Sequence, residues 1–246
     1  MDRRVVRLVG KDVLTFLQGL VSNDVLPLAR GPGLVWTALL TPQGKYLADF
    51  FVVRIGDDLL LDLPEAMADS TLQRLSMYRL RADVQFQATD LPVSRGVGSM
   101  PEDAFPDPRH ADLGWRYYGT MAAQAVDWDA VRVQHLIPES GIELIPNESY
   151  LLETGFERLN GVNFRKGCYV GQEVTARMKH KTELRKGLAR VRLSSEVPVG
   201  TALISDGKEA GVVYTQAGGE GIAWLRFDRS AGMTADGVLV QMLEGS

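Results

Sequence analysis

Apolar positions in the first eighty residues switch between two periods, and each switch marks an element. Val5 to Val9 read as a strand, and after Gly10 the spacing of Val13, Leu17 and Leu20 puts three apolar side chains on one helical face, with Asp12 placed to cap it. Val35 to Leu40 and Tyr46 to Ile55 read as strands, and Gly56-Asp57-Asp58 turns the second into a third at Leu59 to Leu63. Pro64 suits the first position of a helix, where its fixed φ is already helical and its missing N–H is no loss. Met67, Thr71, Leu75 and Tyr78 follow at helical spacing, a stripe that reads as core packing.

From Leu91 to Trp115 four prolines and three glycines predict a connector without regular elements. Asp127 is placed to cap a helix ending near Leu136, ahead of Pro138. After Arg185-Lys186-Gly187 the texture changes to short β-rich runs: Leu188 to Leu193, Thr201 to Ile204, Gly211 to Gln216, Ile222 to Phe227 and Val238 to Met242. Five such runs parted by turn residues predict a small antiparallel barrel or sandwich. The boundary is therefore expected near residue 184, with domains at 1–184 and 185–246. Helices and strands interleave before it without a βαβ rhythm or a Gly-x-Gly-x-x-Gly turn, which predicts the α+β class and argues against a doubly wound nucleotide fold.

Composition narrows the function. A chain of 246 residues with 45% hydrophobic content can bury a sizeable core, and a net charge of −4 argues against nucleic acid as a partner held by a global basic field. One cysteine excludes an internal disulfide and fits a reducing compartment. The N-terminus has no signal-peptide core and carries Asp2, no apolar run reaches the roughly 20 residues of a membrane span, and the expectation is a cytoplasmic, bacterial protein without a membrane partner. The three histidines, His110, His135 and His180, are scattered, with no second cysteine, so the spacing predicts no self-contained metal site.

The single cysteine stands in Lys166-Gly167-Cys168-Tyr169-Val170-Gly171-Gln172-Glu173. A cysteine reacts as the thiolate, and Arg165 and Lys166 are cations that would lower its pKa if they face the sulfur. Gly167 and Gly171 let the chain bend sharply and bring backbone close to a ligand. This run resembles the KGCYxGQE motif of the YgfZ-type folate-binding proteins, relatives of the glycine-cleavage T-protein (aminomethyltransferase) that support iron-sulfur enzymes. Weaker echoes extend the resemblance: Gly10-Lys11-Asp12, Phe16-Leu17-Gln18-Gly19 and Asn23-Asp24, then Thr41-Pro42-Gln43-Gly44-Lys45, Tyr78-Arg79-Leu80-Arg81, Asp107-Pro108-Arg109, Leu113-Gly114-Trp115-Arg116 and Pro138-Glu139 with Gly141.

The resemblance implies an aminomethyltransferase-like folate-binding module followed by a small C-terminal antiparallel β-barrel. It implies tetrahydrofolate or a derivative as cofactor, and iron-sulfur proteins or assembly factors as partners. Asp49 falls where that family places the aspartate facing the reactive folate nitrogens, Trp36 near its aromatic contact, and Arg132 at the helix arginine that grips the folate carboxylate. Asp49 also draws notice by itself, as one carboxylate in the apolar run Leu47 to Phe51, costly to bury unless paired. The T-protein branch lacks a cysteine at the position of Cys168, so the leading reading is an accessory factor for iron-sulfur enzymes with Cys168 as functional thiol. The alternatives are a folate-dependent one-carbon transferase, in which Asp49 stabilises the positive charge that develops on a folate nitrogen, and a scaffold that docks an acidic partner. Cys168, Lys166 and Asp49 are the candidate catalytic residues. Gly167, Tyr169, Gly171, Gln172 and Glu173 are expected in the binding loop.

A last feature is a basic strip, Arg177, Lys179, Lys181, Arg185, Lys186 and Arg190 against Glu183, in an otherwise acidic chain. It suits a polyanion such as a folate polyglutamate tail, with Lys179 and Lys181 among its contacts, or an acidic partner, and a solvated charged face is equally compatible.

Overall fold

The computed structural model describes residues 2–181 and 184–243, with the side chain of Lys181 outside the described part. Glu183 of the basic strip also lies outside it. The strands and helices in chain order are β1 (Arg3–Val9), α1 (Val13–Gln18), β2 (Gly33–Leu40), β3 (Tyr46–Ile55), β4 (Asp58–Pro64), α2 (Glu65–Arg79), β5 (Gln85–Ala88), β6 (Val93–Gly96), β7 (Phe105–Pro106), β8 (Trp115–Tyr118), α3 (Trp128–His135), α4 (Gln172–Lys181), β9 (Lys186–Leu193), β10 (Ala202–Ser205), β11 (Lys208–Ala217), β12 (Glu220–Arg226), β13 (Met233–Ala235) and β14 (Val238–Met242). They form two compact units, residues 1–126 with 157–174, and residues 127–156 with 175–246. No helix among the described residues is long and apolar enough to cross a membrane.

The first unit is built on an antiparallel five-stranded sheet of order β2-β3-β4-β1-β5. One face carries Val6, Leu8, Leu39, Phe50, Val52, Leu61 and Leu63, which α1 and α2 cover with Val13, Leu17, Ala68 and Leu75. Each of these large side chains contributes about 1.5 to 3 kcal/mol when fully buried. The stripe on α2 behaves as its spacing predicts, with Thr71 and Leu75 buried. Asp12 stands at the start of α1, but its side chain makes no cap bond there. Its carboxylate accepts instead from the Asp83 N–H at 2.9 Å, tying α1 to the segment after α2.

The opposite face of the sheet is also buried. In register, Trp36 lies opposite Phe51, Ala38 opposite Asp49 and Phe51 opposite Asp62, so side-chain alternation places Trp36, Asp49, Phe51 and Asp62 together on this second face. The connector expected from its prolines contains a second sheet, β6-β8-β7, because Val93 to Gly96 and Phe105-Pro106 both find ladder partners on Trp115 to Tyr118. Pro106 sits on an edge strand, where a missing N–H is tolerated.

The second unit is a closed antiparallel barrel of order β10-β11-β12-β9-β14-β13. Its interior holds Ala189, Val191, Leu203, Val213, Ala223, Leu225 and Met233. Five of the strands follow the β-rich runs of the sequence, and the sixth, β13, is three residues long and too short to show a period. Helix α3 starts as expected: the Asp127 carboxylate accepts from the Ala130 N–H at 2.9 Å, and Leu136 closes the helix in the left-handed region. Its Val133 and Leu136 pack on Leu188 and Ile222 of the barrel. Residues 127–156 thus belong to the barrel unit, whereas residues 157–174 return to the first unit and carry the cysteine motif.

Candidate functional site

The cysteine loop is anchored on both sides of the thiol. The Asn163 side-chain oxygen accepts from the Arg165 N–H at 2.8 Å and the Lys166 N–H at 3.2 Å, an Asx turn that starts the loop. Lys166 then points inward and is 7% exposed. Its ammonium donates to the Val21 carbonyl and, at 2.9 Å, to the Asn23 carbonyl, and it lies 5.0 Å from the centre of the Tyr169 ring. Burial pushes its pKa down to about 8, with Asp24 opposing the shift. The sequence places Lys166 as a cation beside the sulfur; in the structure carbonyl acceptors hold the ammonium, and the side chain clamps the loop to the segment after α1.

Past the clamp, Gly167 and Cys168 are exposed while Tyr169 is buried. Gly171 provides the second anchor. It adopts φ +84°, and a Cβ there would stand 2.6 Å from the Thr41 carbonyl oxygen and 3.1 Å from Gly44 Cα. The Thr41-to-Lys45 turn between β2 and β3 and the cysteine motif, noted as separate echoes in the sequence, therefore meet through two glycines. Gly167 is different: a Cβ there meets nothing within 4 Å, so its glycine character serves no contact inside the described chain. Gln172 and Glu173 open α4, a helix the sequence reading did not foresee, with Glu173 in the first turn where a negative charge is favoured. Lys179 lies exposed near its other end.

On the second face of the sheet, Asp49 is 5% exposed and Trp36 and Tyr46 are fully buried. The Trp36 indole N–H donates to one Asp49 oxygen at 2.8 Å and the Tyr46 hydroxyl to the other at 2.7 Å. The cost of burying a lone acid is met by these two donors. Around them runs an ionic layer that the sequence reading missed. Asp62 accepts from Arg3 at 2.5 Å, Arg116 at 2.8 Å and the Tyr118 hydroxyl at 3.0 Å. Asp107 holds Arg109 through two bonds of 2.9 and 2.7 Å. The guanidinium groups of Arg116, Arg109 and Arg3 lie 4.2, 5.1 and 5.5 Å from the Phe51 ring centre, and that of Arg109 is 5.6 Å from the Trp36 ring. Burial raises the carboxyls of Asp62 and Asp107, yet the facing arginines overcome it and hold both below the usual carboxylate range. Asp62 in Leu59-Leu60-Leu61-Asp62-Leu63 carried the same signal as Asp49, a single acid in an apolar strand.

Arg132 belongs to the barrel unit and is 3% exposed. It donates to Glu143 at 2.6 Å, Asp129 at 2.9 Å, the Thr215 hydroxyl at 2.9 Å and the Ile137 carbonyl at 3.2 Å, and pairs with Glu139 at 3.2 Å. Three carboxylates already surround one guanidinium, and Glu143 also accepts from Thr215, fastening α3 to β11. A grip on a folate carboxylate, the role implied by resemblance, would add a fourth negative charge. These residues do not fit that role. The aspartate fits a folate better, as a buried acceptor beside aromatic rings, although any ligand there must share or displace the Trp36 and Tyr46 bonds. In the basic strip, Arg190 pairs with Glu220 at 2.5 Å and Lys186 with Glu153 at 3.6 Å, whereas Arg177 and Arg185 are exposed.

Comparison with known proteins agrees with this architecture. Residues 185–244 match the family "CAF17, C-terminal beta-barrel domain". The chain is 28% identical to the mitochondrial iron-sulfur cluster assembly factor IBA57 of Mus musculus and of Homo sapiens, in each case over 94% of this chain and 77% of the relative. It is 31% identical to the IBA57 homolog of Mycosarcoma maydis over 75% of this chain, and spans 54% of that relative's length. The glycine cleavage system aminomethyltransferase T of Bartonella henselae superposes on 99% of this chain and 83% of its own with TM-score 0.76 at 11% identity, which establishes the shared fold. The chain thus carries a CAF17-type barrel in an aminomethyltransferase-like fold with IBA57 proteins as relatives, and the family resemblance drawn from its motifs is borne out. The cytoplasmic expectation is corrected by the same comparison, because these relatives are mitochondrial proteins.

Proposed function

We propose that this chain, with its CAF17-type barrel and IBA57 relatives, is an accessory factor for assembly or maintenance of iron-sulfur clusters, with Cys168 as its functional thiol. The observation that carries the reading is an exposed cysteine on a loop fixed by the Lys166 clamp before it and the Gly171–Gly44 contact after it. A thiolate is a soft ligand suited to iron and to sulfur chemistry, and four ligands are the norm for a cluster, so one cysteine acts on a cluster only together with ligands from another protein. Fixing the loop while leaving the sulfur exposed offers that thiol to a partner at little ordering cost.

The test is complementation in cells lacking the native protein. Cys168→Ser, expressed at parental level and stability, should fail to restore iron-sulfur enzyme activity. Full rescue by the serine variant would remove the thiol from the function.

Tetrahydrofolate is the cofactor that the fold suggests, and in this reading Asp49 accepts from its ring nitrogens, with the Trp36 and Tyr46 donors positioning the carboxylate. The group would supply a one-carbon carrier. In calorimetric titration with tetrahydrofolate, Asp49→Asn should weaken binding about tenfold or more, the cost of a charge-assisted bond. An affinity equal to the parent's would separate Asp49 from any folate site.

A further inference from the structure

Within the barrel unit, a cavity of about 360 Å³ is lined by Glu153, Met178, Leu184, Arg185, Lys186, Trp224 and Arg226. The cysteine loop contributes nothing to this lining. Its chemistry is layered. Glu153, 8% exposed, receives a hydrogen bond from Trp224 and pairs with Lys186 at 3.6 Å, while the Lys186 ammonium lies 5.1 Å from the Trp224 ring centre. The charges nearest the indole therefore cancel, and with Met178 and Leu184 they leave an apolar interior. Arg185 and Arg226 are exposed, and they make the rim cationic. Arg226 shares its charge with Asp228 at 3.4 Å, an exposed pair that screens weakly.

We infer that this cavity is a docking site for an acidic peptide segment of a partner protein, which inserts one aromatic or large aliphatic side chain against Trp224 and sets its carboxylates on Arg185 and Arg226. A small anion would need an uncommitted cation beside the indole, and Lys186, the half-exposed cation over the Trp224 ring, is already matched by Glu153. An apolar anchor in a pocket with charge at the rim is the arrangement of a protein-binding hot spot, and Met178 suits it because a thioether side chain adapts its shape. Arg185 and Arg226, exposed cations of the lining in a chain of net charge −4, supply the charge complementarity.

The probe is a short fluorescein-labelled peptide of Glu and Asp with one central Phe, titrated with the full chain and followed by fluorescence anisotropy at low salt. Binding should weaken about thirtyfold for Trp224→Ala and for the same peptide with Gly in place of Phe. It should weaken about tenfold or more for Arg185→Glu with Arg226→Glu, and fall as salt is raised toward about 1 M. Trp224→Phe, which keeps an aromatic wall, should retain most of the affinity and guards against a folding defect in the alanine variant. Equal binding of the Phe and Gly peptides would overturn the proposal by reducing the strip to a charged surface. Displacement of the peptide by phenylacetate at similar concentration would overturn it in favour of a small-molecule pocket.

Discussion

Gly171 and Gly44 meet backbone to backbone: a Cβ on Gly171 would lie 3.1 Å from Gly44 Cα, and a Cβ on Gly44 would lie 3.1 Å from the Gly171 carbonyl oxygen. Two sequence motifs 127 positions apart are joined by this contact, and the exposed cysteine follows from it three residues earlier. A side chain on either glycine would part the β2–β3 turn from the loop.

Substitution at the two glycines of the motif should therefore give opposite results. Gly171→Ala forces a Cβ into φ +84° and onto the Thr41 carbonyl, and should cost about 2 kcal/mol or more in urea denaturation. Gly167→Ala, with nothing within 4 Å of its new methyl, should change stability by no more than about 0.5 kcal/mol. Equal losses at both positions would contradict the anchored-loop geometry.

Lys166 makes the alkaline limb informative. Burial lowers its folded-state pKa to about 8, below its unfolded value, so between about pH 8 and pH 10 the unfolded chain binds more protons and stability rises with pH. A neutral amine still has two N–H groups for the Val21 and Asn23 carbonyls. Relative to Lys166→Met, the parent should gain stability across this window with a slope of at most about 1.4 kcal/mol per pH unit. A difference that stays flat from pH 7.5 to 10 would mean the ammonium is not desolvated.

Asp49 holds two buried donors in place. Asp49→Ala removes the acceptor of the Trp36 indole and the Tyr46 hydroxyl, and should cost about 2 to 5 kcal/mol. Asp49→Asn, which keeps the shape and one acceptor oxygen, should cost distinctly less. Thermal denaturation of the two variants distinguishes a structural acceptor from a carboxylate retained for a ligand alone, since in the latter case both would be as stable as the parent.

The ionic layer around Phe51 should govern the acid limb. Asp62 is held below the usual carboxylate range, so its contribution is complete above the ordinary aspartate value near pH 4 and is lost as pH falls through the depressed folded-state pKa. Arg116→Leu leaves Asp62 with Arg3 and should destabilise at neutral pH by about 3 to 5 kcal/mol, the cost of breaking a buried pair. Asp62→Asn should flatten stability against pH below pH 4. An unchanged acid transition in that variant would assign the acid limb to other carboxylates.

Local patterns alone determined much of this protein. The strands β2, β3 and β4, the stripe on α2, the Asp127 cap of α3 and the barrel after residue 185 follow from period, turn chemistry and capping, which act between near neighbours. The cysteine motif and the family were legible for the same reason, as contiguous residues. Tertiary structure alone decided where charges lie. Lys166 stands two positions from Cys168 in sequence, yet its ammonium turns to carbonyls 143 and 145 positions away. Arg132 looks like a free cation on a helix until Glu139, Glu143 and Thr215 close around it. Asp49 could have faced solvent by strand alternation, and only the layer of Arg3, Arg109 and Arg116 shows that both faces of the sheet are covered. Electrostatic and desolvation energies depend on groups brought together by folding, and no local pattern encodes that distance.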